Sequence, residues 1–119
     1  MAIAYTPDQI DPSQHIVVSS RTGAHRGEQY LMTDPDTGMF VKYQTYPAGD
    51  VAPWHTHPVA HGLYVLKGTL TTNVGDFGPG SFVWFEKGER MYHGATPDGE
   101  VEAIFIANGP LSSTYVDAE

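Results

Sequence analysis

The sequence predicts an all-β domain, an antiparallel sandwich or barrel built from many short strands. Turn signals recur along most of the chain. They are Asp34-Pro35-Asp36-Thr37-Gly38, Pro47-Ala48-Gly49-Asp50, Lys67-Gly68, Gly75-Asp76, Gly78-Pro79-Gly80, Lys87-Gly88, Pro97-Asp98-Gly99 and Asn108-Gly109-Pro110. Between them lie short runs rich in β-branched and aromatic residues. Helical periodicity is nearly absent, with one hint of a helical turn at residues 6–10.

Taken in order, residues 15–20 have a bare apolar centre, Ile16-Val17-Val18, of the kind that needs a sheet edge to pair with. Residues 39–46, 61–66, 69–74, 82–85 and 101–107 then read as strands. In the last of these, Glu102, Ile104 and Ile106 share one face, while Val101, Ala103 and Phe105 share the other. Such a strand is covered on both sides at one end and wet at the other. No linker, repeat or low-complexity tract interrupts residues 1–119, so one domain is expected.

Composition narrows the function. There is no cysteine, which excludes a thiolate metal site, a thiol nucleophile and a disulfide scaffold. Net charge is −8, from fourteen acids against six bases. The six bases are scattered, so no positive stripe is available to displace counterions, and nucleic acid is not an expected partner. No apolar run approaches ~18 residues and Met1 to Tyr5 carries no basic residue, so neither a membrane span nor a signal peptide is expected. The expected location is the cytoplasm.

Four of the six histidines form one pattern: His55-Thr56-His57, His61 three residues past Pro58, and His93 thirty-two residues further on. Alternate residues of an extended chain point the same way, so His55 and His57 can aim two imidazoles at one point. Converging neutral imidazoles indicate a divalent transition metal. A tetrahedral zinc would be saturated by four of them, whereas a six-coordinate metal would keep two positions for substrate, water or dioxygen. His15 and His25 fall outside the pattern.

These residues resemble the cupin superfamily. Its first motif, G-x5-H-x-H-x3-4-E-x6-G, is met at Gly49, His55, His57 and Gly68, with His61 in the glutamate position. Its second, G-x5-P-x-G-x2-H-x3-N, is met at Gly80 and Gly88, with Glu86 in the proline position and His93 two residues late. The resemblance covers residues 38–108 and implies a double-stranded β-helix, a jelly-roll barrel with the metal at the mouth of an apolar funnel. It also implies a homodimer, with residues 1–20 contributing to the interface.

Two groups within the superfamily are more similar still. Residues 55–68 look like the small four-histidine manganese-binding cupins. His93-Gly94 followed by residues 105–111 is similar to the acetylacetone-cleaving (β-diketone) dioxygenases, whose three-histidine Fe(II) site would map to His55, His57 and His93, with His61 added. The metal set implied is therefore His55, His57, His61 and His93. Fe2+ or Mn2+ is favoured, and Ni2+, Co2+ and Zn2+ remain open.

The first functional expectation is a metal-dependent dioxygenase acting on a small oxygen-bearing molecule. The alternatives are a lyase, isomerase or cyclase using the metal as a Lewis acid, and a binding module without turnover. Tyr43, Glu86 and Arg90 are the candidate acid/base or substrate-contacting residues. Tyr43, Trp54, Tyr64, Trp84, Phe85, Tyr92 and Phe105 are candidate walls.

Overall fold

The computed structural model describes residues 1–117. Among them, eleven strands form two antiparallel sheets. In chain order these are β1 (Ile16–Val18), β2 (His25–Thr33), β3 (Phe40–Tyr46), β4 (Val51–Thr56), β5 (His61–Lys67), β6 (Leu70–Thr72), β7 (Gly75–Phe77), β8 (Phe82–Phe85), β9 (Met91–Ala95), β10 (Val101–Ala107) and β11 (Thr114–Tyr115). One sheet runs β1-β2-β3-β10-β5-β8, the other β11-β4-β9-β6-β7. This is the expected jelly roll. The hint at residues 6–10 is a single 3-10 turn, Pro7–Gln9.

Register explains what lies between the sheets. In β3, Phe40, Lys42, Gln44 and Tyr46 are buried while Val41 and Tyr43 are half-buried, the period-2 pattern of a strand with one inner face. Cross-strand pairing extends those positions into inward rows. One row is Phe40, Ala107, His61 and Phe85; the next is Lys42, Phe105, Leu63 and Val83. The expected split of β10 is also present, with Val101, Ala103 and Phe105 buried and Glu102, Ile104 and Ile106 half-buried.

The apolar core gathers Leu63, Val65, Leu70, Phe85, Met91, Val101 and Phe105 at the β5–β6–β9–β10 end. Each such side chain contributes ~1.5–3 kcal/mol on burial. The β2–β3 end carries polar inward residues instead, which leaves the barrel open in chemistry at that end.

Three details depart from the sequence expectation. Residues 69–74 are not one strand: β6 turns through Asn73 and Val74 into β7, because the Thr72 hydroxyl donates to the Gly75 carbonyl at 2.8 Å and accepts from the Val74 N–H at 3.1 Å. The strands β2, β4 and β9 were not legible, since β2 is rich in polar residues, β4 contains Pro53 and β9 is short. Finally, β1 pairs with β2 of its own chain, Val17 opposite Arg26, and forms an outer edge of the sheet. Among the described residues no helix is long and apolar enough to cross a membrane.

Candidate metal centre

The four histidines come from three neighbouring pieces of backbone. β4 pairs with β9, but the register shifts between Ala52 and His55, where Pro53 cannot donate to the ladder. The bulge turns His55 inward, and its Nδ1–H donates to the Pro53 carbonyl at 2.6 Å. His57 follows two residues on, pointing to the same side, and its Nδ1–H donates to the Ser112 carbonyl at 2.7 Å. His93 sits in the middle of β9, and Ala52 is its cross-strand partner. His61 opens β5 inside the inward row that ends at Phe85.

One ligating nitrogen each from His55, His57 and His93 lies within 4.8 Å of the others. Nitrogens held ~2.0–2.1 Å from a shared ion fall inside that separation. His61 stands beside the set, its ring centroid 4.7 Å from that of His57 and 5.6 Å from that of His93. The imidazole lies flat against Phe85 and Phe105, with centroids 5.3 and 4.9 Å away.

The donor set fits a divalent ion. His57 Nε2 and both nitrogens of His61 and His93 are buried with no hydrogen-bond partner. A buried polar atom left unsatisfied costs about 1–3 kcal/mol, and a shared cation would offset that for one nitrogen of each ring it binds. In His55 and His57 the backbone carbonyls fix the proton on Nδ1 and leave Nε2 as the donor atom. Burial also keeps the rings neutral. It pushes His57 down to about 4, partly countered by the Ser112 hydrogen bond, and His61 down to about 3. Burial likewise lowers His55 and takes His93 well below the ordinary range.

His55, His57 and His93, but not His61, border a cavity of about 160 Å³, whose far wall is Arg26, Glu28, Lys42, Gln44, Tyr46 and Phe105. Leu111 and Tyr115 close it from the C-terminal side. Lys42 Nζ meets Glu28 Oε1 at 2.8 Å, and burial lowers its pKa against the opposing pull of that carboxylate. Arg26 donates through Nε and Nη2 to both oxygens of Asp50, at 2.7 and 2.9 Å. A larger surface depression of about 650 Å³ lies between residues 22–25 and 47–51 and contains none of the four histidines.

The other sequence candidates are placed elsewhere. Tyr43 points to the outer face, where its hydroxyl donates to Glu102 Oε1 at 2.7 Å and its pKa is pushed up to about 12, first by burial and then by that carboxylate. Glu86 is exposed, in a turn where its N–H donates to Glu89 Oε1. Arg90 is exposed and donates to the Asp117 carbonyl at 2.9 Å. None of the three lines the cavity. Of the aromatic candidates only Phe105 does, while Phe85 backs His61, Tyr64 and Trp84 are exposed, and Trp54 packs edge-on against Tyr92. Tyr46 and Tyr115 supply the other aromatic wall. The signal that could have found the polar wall was the alternation in residues 39–46, which aligns Lys42, Gln44 and Tyr46 with apolar Phe40.

Comparison with known proteins agrees with this architecture. A 58-residue stretch, 44% of the chain, is 38% identical to the (R)-mandelonitrile lyase of Granulicella tundricola, and the match spans 44% of that protein. Among solved structures, the polyketide cyclase RemF from Streptomyces resistomycificus aligns over 100% of this chain and 88% of its own, with a TM-score of 0.74 at 17% identity. An acetylacetone dioxygenase from Acinetobacter johnsonii aligns over 98% and 80%, with a TM-score of 0.73 at 20% identity. At such identities the two structures speak to the fold alone. The model of the ChrR cupin-like domain matches residues 10–112, nearly the whole barrel and all four histidines, and the chain belongs to that family.

Proposed function

We propose that the protein is a metal-dependent enzyme acting on a small oxygen-bearing organic molecule, and that its reaction is an oxygen-dependent cleavage of an enolisable substrate. The observation that carries this reading is the donor set: three buried imidazoles within mutual reach, with no carboxylate in the cluster. His55, His57 and His93 would hold the ion and His61 would add a fourth donor. Fe2+ or Mn2+ is favoured, and Ni2+, Co2+ or Zn2+ would suit the same nitrogens. With only neutral donors the ion would keep its full positive charge, supplying Lewis acidity toward enolate or carboxylate oxygen and, where redox-active, a route for electrons to dioxygen.

The chain's own residues do the remaining work. Pro53 and Ser112 carbonyls hold two imidazoles in one tautomer. Phe105, Tyr46 and Leu111 form the apolar part of the cavity wall, and its polar part, Glu28, Lys42 and Gln44, would orient substrate oxygen. The similarity to an acetylacetone dioxygenase in fold supports the reading.

Oxygen uptake with a panel of β-diketones and related enolisable compounds tests it, on iron- and manganese-loaded protein. Consumption above buffer is the expected result; its absence with every substrate overturns the reading. A second reading, a lyase using the metal as a Lewis acid, is supported by the segment 38% identical to (R)-mandelonitrile lyase. Product formed without oxygen uptake would select it. Tight binding without turnover would instead identify a binding protein.

A homodimer belongs to the same proposal. Ile16, Val17 and Val18 on the β1 edge, with Tyr64, Phe82 and Trp84 on the outer sheet face, are exposed apolar surface of the kind that association covers. Sedimentation at micromolar concentration tests it, and a monomer there contradicts it.

A further inference from the structure

Lys42 occupies an inward row of the six-stranded sheet, on the cavity wall facing the strands that carry His55 and His93. Its side chain is only 9% exposed. Among the described residues its one hydrogen-bond partner is Glu28, so an ammonium with three N–H donors gives one of them away. Phe105 lies 4.8 Å from the Lys42 ammonium and also stacks on His61, and Lys42 lines the same cavity as His55, His57 and His93.

A buried Lys–Glu pair is not what stability selects, because apolar side chains of similar volume are often as stable or more so. A cation retained inside a barrel, next to a cluster of ligand-type histidines, points to something it recognises. The other cation of the wall, Arg26, turns its fork to Asp50. Beyond Glu28 the Lys42 ammonium lies over the rings of Phe105, Phe40 and Tyr30, at 4.8, 5.6 and 5.7 Å, so two of its N–H groups make no hydrogen bond among the described residues. The cavity, about 160 Å³, suits a small organic occupant.

We propose that Lys42, held in place by Glu28, anchors a carboxylate of the substrate, so that the molecule seated over the histidines is a small enolisable keto acid; this rests on the enzymatic reading above. Glu28 keeps the anchor near neutral overall, which suits a carboxylate monoanion better than a phosphate dianion. The keto oxygen then lies toward His55, His57 and His93, and the carboxylate toward β3.

Acetoacetate and acetoacetamide test the assignment, because they share shape and keto group and differ in charge. Calorimetry on metal-loaded protein gives the preference for acid over amide in wild type, Lys42→Met, Lys42→Arg and the double variant Lys42→Met with Glu28→Gln. The double variant leaves no orphaned buried carboxylate, so it covers the case in which Lys42→Met alone fails to fold.

Wild type should prefer the acid. That preference should fall about tenfold or more without Lys42, while the amide changes less than about twofold. Lys42→Arg should retain part of the preference. Metal content, measured in parallel, should not change. An equal preference in wild type and the Lys42→Met proteins overturns the assignment, as does a wild type that binds neither compound. Oxygen uptake in wild type without a Lys42-dependent preference leaves the enzymatic reading standing alone. A Lys42-dependent preference without turnover leaves the anchor standing alone.

Discussion

His57 and Ser112, 55 residues apart, are joined by a hydrogen bond in which Nδ1–H donates to the Ser112 carbonyl at 2.7 Å. The C-terminal segment thereby braces the candidate metal centre. It is held there by β11, which pairs Thr114 with Thr56 and Tyr115 with His55.

Ending the chain after residue 110 should therefore weaken metal binding although all four histidines remain. Loss of the carbonyl frees His57 to rotate and to adopt either tautomer, and outer partners of metal-bound histidine are typically worth about 10- to 100-fold in affinity. Metal titration of the truncated protein measures this. An affinity equal to that of the full chain would mean that the Ser112 contact does not orient the ligand.

Acid stability follows from the same buried rings. In the unfolded chain each imidazole titrates near ~6.5. In the fold, burial holds His57 down to about 4 and His61 to about 3. Below pH ~6.5 the unfolded state thus binds protons that the native state refuses. The stability is complete above that pH and falls as pH drops toward the folded values, by ~1.4 kcal/mol per pH unit for each imidazole kept neutral. Urea midpoints of metal-free protein should be flat from pH 8 to 7 and fall steeply from 6 to 5. A flat profile down to pH 5 contradicts the burial of neutral rings.

Asp50 ties β2 to the start of β4. Its carboxylate accepts two bonds from Arg26 and one from the Thr22 hydroxyl at 3.2 Å, and its side chain is 3% exposed. Asp50→Ala leaves the Arg26 guanidinium facing the cavity without its counter-charge, and such a break costs about 3–5 kcal/mol. Chemical denaturation should show a loss of that order. A loss under about 1 kcal/mol would mean the pair behaves as an exposed one.

The alternation in residues 101–107 and the glycines that end strands were legible in the sequence. Gly68 shows why: its φ is 80°, and a β-carbon there would strike the Glu100 carbonyl, so the position demands glycine. The histidine spacing was equally plain, because HxH on extended backbone needs no tertiary information. The polar wall was not. Arg26 and Glu28 lie in a strand whose inner face is charged, so hydrophobic periodicity has nothing to report there. Glu86 and Arg90 drew notice for being near His93 in sequence, yet β9 carries His93 inward and leaves both in the exposed turn before it. The Ser112 contact joins residues too far apart for any local pattern.

His61 is wholly buried, makes no hydrogen bond with either nitrogen and rests between Phe85 and Phe105. It adjoins the His55, His57 and His93 set without joining their mutual 4.8 Å reach. His61→Ala leaves those three donors intact, so metal should stay bound where His57→Ala loses it, and oxygen-dependent turnover should persist or rise. His61→Glu places a carboxylate among aromatic rings, which without metal should destabilise the fold by at least ~2 kcal/mol. Metal should recover much of that loss. With metal bound, the added negative charge should weaken binding of anionic ligands such as acetoacetate. Metal content, urea midpoints with and without metal, and oxygen uptake on the three variants give the answer. If His61→Ala loses metal as completely as His57→Ala, His61 is a full member of a four-histidine site, and a three-histidine site with a detachable fourth ligand is ruled out.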